Sequence, residues 1–209
     1  VARASVSALV ASSRPGEIED EQETGDAQRD VDGELAIIPH GFAEVEVDER
    51  LRAKEAGVAV LVLLTAGEDV PLGVCLDRLV AASDGDVVAK MDDDDLYGEH
   101  YLSDQLDALA YSDADVVGKQ AHYLYVASLD ATLLRFAERE HRYTDFVMGP
   151  TIVATSGLAE RVPFASVGRG EDTGFLRSAI DAGARVFSAD RYNFVQVRAA
   201  EGAAHTWAA

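Results

Sequence analysis

Val80–Leu102 reads VAASDGDVVAKMDDDDLYGEHYL, and its interpretation decides the fold. It opens on the end of a helix stripe, because Leu72, Cys75, Leu76, Leu79 and Val80 recur at helical spacing. Asp86–Met91 then forms a short apolar run of strand length, and it leads directly into Asp92, Asp93, Asp94 and Asp95. In an open parallel sheet, ligands bind outside the carboxyl ends of the strands, and the four aspartates occupy such an end. Adjacent carboxylates repel, each raising the cost of ionising the next. A hard divalent cation, magnesium or manganese, removes that penalty and suits oxygen donors. A solvated acidic turn has the same composition. This run, however, interrupts an apolar stretch, with Lys90-Met91 before it and Leu96-Tyr97 after it.

Outward from this segment, the N-terminal half alternates between strand and helix patterns. Val6–Ala11 reads as a buried strand entering a turn at Ser12-Ser13-Arg14-Pro15. Leu35–Ile38 is a second strand, and Val58–Leu64 a third. Val47, Leu51 and Ala56 share one face of a helix that stops at Gly57. Strands interleaved with helices predict right-handed crossovers and an α/β fold with a central mixed, mostly parallel sheet. After Tyr111 the expected strands are Asp115–Gln120, His122–Val126, Phe146–Met148, Thr151–Ala154, Arg185–Phe187 and Asn193–Val197. Glu171–Ala182 is a clear helix, with Phe175, Leu176, Ala179 and Ile180 on one face and Gly183 past its end. Neither an internal repeat nor a Pro/Gly/Ser linker interrupts the chain, which predicts one domain over residues 1–209.

Composition narrows the functional classes. The 209 residues carry 38 acidic and 18 basic side chains, a net charge of −20. That excludes a general nucleic-acid binder, whose affinity comes from Lys and Arg on phosphates, and disfavours a helix that reads anionic lipid. One cysteine excludes a disulfide framework. Cys75 falls in the helix stripe and should be buried. No apolar run reaches the roughly 18 residues of a transmembrane segment. The absent initiator Met suggests a fragment of a longer chain. The expected location is the cytoplasm, with the inner face of the membrane open to a longer chain. Glu17–Asp32 has only Ile18, Ala27 and Val31 to bury, so a solvated loop or frayed helix is expected.

The quoted segment resembles the metal-binding segment of family-two glycosyltransferases of the GT-A fold, where a strand leads into Asp-x-Asp-Asp, an aromatic and a helix. The resemblance implies that Asp92 and Asp94 are the ends of the Asp-x-Asp motif, with the register open by one residue. Asp92 would then contact the ribose or the cation, Asp94 would ligate the cation, and Asp93 would lie on the nucleotide side. VSALVASSRP (6–15) resembles the family's first strand and nucleotide-gripping turn, which implicates Ser12, Ser13 and Arg14. The helix Pro71–Ala82 matches one whose Arg, here Arg78, lies near the nucleotide. Gly168–Arg198 resembles the segment with the Glu-Asp motif, which makes Asp172 the general base and places Glu171 beside the substrate. An inverting transfer needs a carboxylate there to take the acceptor hydroxyl's proton, and a helix N-terminus favours its anion. Acidic residues that merely complement a helix dipole would look the same. By the same resemblance His205, in HTW, is a further metal ligand.

The function so implied is a metal-dependent inverting glycosyltransferase using Mn2+ or Mg2+. It would have a nucleotide-binding part at about 5–98 and an acceptor-side part at about 99–209. Its partners would be a nucleotide-sugar donor and a hydroxyl acceptor such as a sugar, glycan, lipid-linked or small molecule. The family often has Asp at the end of the second strand, where this chain has Ile37-Ile38-Pro39-His40-Gly41, so the base must be held differently. Two alternatives share the architecture: a non-catalytic nucleotide- or sugar-binding domain, and a sugar-nucleotide pyrophosphorylase. The Gly-rich phosphate loop of the latter has no counterpart in Ser12-Ser13-Arg14-Pro15. His100, His122 and His141 read as structural or exposed. Lys90 and Lys119 close strands at the functional end and could counter phosphate or aspartate charge.

Overall fold

The computed structural model describes residues 4–12, 24, 27–40, 61–67, 69–167 and 169–199. Strand β1 (Val6–Ser12) lies between β2 (Gly33–Pro39) and β4 (Val87–Met91), parallel to both, and β3 (Leu61–Leu63) continues beyond β2. These strands read as unbroken apolar runs because both of their faces are covered. Side chains alternate across the sheet. Val6, Ala8 and Val10 pack with Leu102 and Leu106 of helix α2 (Tyr101–Ser112). Leu9 instead meets Cys75, Leu76 and Leu79 of helix α1 (Leu72–Ala82). Each such Val or Leu contributes about 1.5–3 kcal/mol when fully buried.

Among the described residues the main sheet continues through β10 (Val153–Thr155), β6 (Val116–Gly118), β11 (Val186–Ser188) and β9 (Arg142–Tyr143), in the order β3-β2-β1-β4-β10-β6-β11-β9. Only β10 and β9 run against the rest. Helices α3 (Ser156–Arg161) and α4 (Glu171–Asp181) join α1 on its face of the sheet, through Leu158, Ala159, Phe175, Leu176 and Ala179. A second sheet has the order β5-β12-β7-β8, with β5 (Leu96–Tyr97), β12 (Phe194–Arg198), β7 (His122–Val126) and β8 (Ala131–Arg135).

Two consequences position the site. The carboxyl ends of β1, β2, β3, β4, β6 and β11 share one edge, and the strand order reverses between β1 and β4, which makes a crevice there the place for a ligand. The four aspartates also form the tight connection from β4 of the large sheet to β5 of the small one.

Two sequence expectations require correction. Phe146–Met148 is not a strand: Val147 is buried, but the Phe146 backbone N–H donates to Thr144 Oγ1 (3.3 Å), so this local bond replaces a ladder partner. The strand expected at Thr151–Ala154 begins later, at Val153, after a 3-10 turn over Gly149–Thr151 whose Pro150 donates no backbone hydrogen bond. The expected helix around Val47, Leu51 and Ala56 lies outside the described residues, as does most of Glu17–Asp32.

Candidate active site

The aspartate loop divides its side chains between two directions. Asp93 turns towards β1, where the buried Ser12 hydroxyl donates to its Oδ2 (2.5 Å), so this bond crosses the crevice between β1 and β4. Asp92, Asp94 and Asp95 turn together, each offering a carboxylate oxygen within 4.8 Å of the others. Three half-buried hard-oxygen donors in that space fit a magnesium or manganese ion. Without a cation the crowding has a cost, and the Asp95 carboxyl is pushed up to about 8 by burial and by the Asp92 charge beside it.

Backbone contacts fix the loop. The Asp92 N–H donates to the Tyr97 hydroxyl oxygen (2.8 Å), and that hydroxyl donates to the Pro150 carbonyl (3.0 Å). Tyr97 thus anchors the start of the loop to the Gly149–Thr151 turn. Edge-on packing against Tyr101, with ring centroids 4.8 Å apart, holds its ring. At the far end Asp95 Oδ1 accepts the Val197 N–H of β12 (2.8 Å).

The second carboxylate pair arrives from α4. Gly170, at φ 84°, makes the left-handed entry to that helix, and Glu171 and Asp172 form its first turn. Lys90 joins the two groups. Its side chain is 2% exposed, and its Nζ donates to Asp92 Oδ1 (2.6 Å) and to Asp172 Oδ2 (3.3 Å). Burial raises the Asp172 carboxyl, with the Lys90 charge opposing the shift. Glu171 is pushed up to about 7, by burial first and then by the charge of Asp172. Asp172 Oδ1 is enclosed and accepts no hydrogen bond from the described residues.

The structure therefore brings together Ser12, Asp92, Asp93, Asp94, Glu171 and Asp172. Arg78 is exposed on α1, and no hydrogen bond or ion pair joins it to the aspartate loop among the described residues. Ser13, Arg14 and His205 lie outside the described residues. Both strand-end lysines meet aspartate charge, Lys90 at Asp92 and Asp172 and Lys119 at Asp190 (3.0 Å). Sequence reasoning did not single out Asp95, Tyr97 or Gly149. In a run of four aspartates only the turn geometry says which three converge. Gly149 carries no sequence signal, yet a Cβ there would overlap Asp172 Oδ2.

No protein-family model matches the sequence, and no curated protein matches it. Solved structures do match. Residues 1–349 of TarS from S. aureus, in complex with UDP-GlcNAc, superpose with a TM-score of 0.74 at 13% identity over 97% of this chain and 62% of that one. The mannosyltransferase PcManGT from Pyrobaculum calidifontis, in complex with GDP-Man and Mn2+, gives 0.72 at 16% identity over 97% of this chain and 59% of that one. The chain thus spans about three fifths of the length of each. At these identities the likeness establishes architecture: this chain has the GT-A fold of nucleotide-sugar glycosyltransferases.

Proposed function

We propose that this chain is a metal-dependent inverting glycosyltransferase that moves a sugar from a nucleotide-diphosphate donor to a hydroxyl acceptor. The observation that carries this reading is the buried ammonium of Lys90. It holds a carboxylate of the aspartate loop and the first-turn carboxylate of α4 at one crevice. The donor would lie over the crevice between β1 and β4, with Ser12 and Asp93 on its nucleoside side. Ser13, Arg14, Arg78 and Glu171 complete the proposed substrate contacts.

Asp92, Asp94 and Asp95 would hold Mn2+ or Mg2+, with His205 as a further proposed ligand. Once bound, the cation would supply charge stabilisation to the departing diphosphate. Asp172 would take the proton from the acceptor hydroxyl. The acceptor oxygen then bonds to the anomeric carbon as the carbon–phosphate-oxygen bond breaks, and that electron pair leaves with the nucleoside diphosphate. Two neighbours of the fold are complexes with UDP-GlcNAc and with GDP-Man and Mn2+, so these two donors are the first probes.

The test pairs calorimetry with turnover. Asp172→Asn should keep Mn2+-linked donor binding and lose about 10²–10⁴-fold in kcat, the usual contribution of a positioned base. Asp94→Ala should lose the Mn2+-linked binding itself. An Asp172→Asn protein with full activity overturns the base assignment. A wild type that binds neither donor with Mn2+ overturns the reading for these donors.

A further inference from the structure

Strand β4 has no need of a lysine for its packing. Val87, Val88, Ala89 and Met91 are all buried, and Lys90 is buried among them. An ammonium taken out of water is costly unless it is fully paired, and an apolar side chain of similar volume is the ordinary occupant of such a position. Lys90 is paired in a particular way: its Nζ reaches Asp92 Oδ1 and, 82 residues further along, Asp172 Oδ2. The same Asp172 oxygen lies against Gly149, where a Cβ would overlap it. One oxygen of the Asp172 carboxylate is thus held by an ammonium and packed against a glycine, with Glu171 beside the same carboxylate and the other oxygen, Oδ1, buried.

We infer that Lys90 is a positioning residue that fixes Asp172 by Oδ2 and so sets the orientation of the carboxylate that receives the acceptor's proton. Gly149 supplies the space that makes this orientation possible. The inference rests on the reading of Asp172 as base and adds what aims it. Lys90 touches neither donor nor acceptor and acts through Asp172.

The experiment measures nucleoside-diphosphate release from UDP-GlcNAc and GDP-Man with Mn2+, for the wild type, Lys90→Met, Asp172→Asn, the double variant and Gly149→Ala. Lys90→Met should lower kcat by about a hundredfold, the cost of misplacing a reacting group by about 1 Å, while donor KM moves by about threefold or less. In the Asp172→Asn background the same change should cost about threefold or less, because residues that act through one another are not additive. Gly149→Ala, which keeps the lysine and pushes the same oxygen, should reproduce the loss in kcat. Additive losses in the double variant overturn the inference and leave the base assignment standing. So does a Lys90→Met protein that raises donor KM with kcat unchanged, since Lys90 then serves only Asp92. If Lys90→Met does not fold, a folded Gly149→Ala protein with normal kcat overturns it. Full activity in Asp172→Asn, or a wild type inert towards both donors, overturns the underlying reading and the inference with it.

Discussion

As a ligand of the proposed cation, Asp95 would trade stability for affinity. Its carboxyl is pushed up to about 8 in the folded chain, by burial first and then by Asp92, against a value near 3.9 in an unfolded chain. Between those values the folded state binds the proton and the unfolded state does not, so this group's contribution to stability falls as pH rises. Asp95→Asn keeps an acceptor for the Val197 N–H and removes the charge. Without metal at neutral pH it should therefore melt higher than wild type, with a flatter dependence between about pH 4 and 8. With Mn2+ present the order should reverse, because the wild type gains a ligand that binds only the folded state. Melting curves with and without Mn2+ and with chelator check this, and an Asn variant that melts lower without metal would contradict the proposed crowding. Tyr97→Phe is the complementary case. It leaves the Asp92 N–H and the Pro150 carbonyl without their shared partner, which should cost about 1–3 kcal/mol in urea titrations.

Elements were legible in the sequence where burial made them regular. β1, β2 and β4 are apolar on both faces, so a short unbroken run was sufficient, and α1 and α4 show a stripe at helical spacing. β8 gave no such signal. Leu133 is 49% exposed and Leu134 is 40% exposed, so neither alternation nor burial marks this strand at the edge of the small sheet. Phe146–Met148 misled for the opposite reason, because an apolar triplet can bury Val147 in a loop as well as in a strand. At the site, the residue types followed from the motifs, but Asp95 and Gly149 depended on turn geometry that spacing does not encode. One side-chain contact ties two elements at the functional edge. Lys119, fully buried after β6, donates to the Asp190 carboxylate (3.0 Å) and carbonyl (3.1 Å) beyond β11. Lys119→Ala removes this bond, while Asp190 keeps partial solvent exposure and the Tyr192 N–H (2.9 Å), so the chain should lose about 1.5–3 kcal/mol, measured as a fall in the urea midpoint at unchanged slope. A change below about 0.5 kcal/mol would place the pair among ordinary surface contacts.

At the scale of the whole molecule, a net charge of −20 sets the response to salt. Raising ionic strength from about 0.01 to about 0.15 M shortens the screening length from about 30 to about 8 Å. Self-repulsion then weakens more than the contacts of buried pairs such as Lys90 with Asp92. The melting temperature should rise over that range. A fall would mean that attractive surface pairs, Arg185 with Asp113 among them, dominate the balance. No helix among the described residues is long and apolar enough to cross a membrane. The aspartate loop has one more consequence, because its two ends belong to different sheets. Asp92 follows β4, while Asp95 is fastened to the amide of Val197, the residue 102 positions later in β12. A cation gripped by these carboxylates would staple the two layers together. Deuterium uptake at that one remote amide would then report occupancy, slowing as the ion enters and recovering when a chelator strips it away.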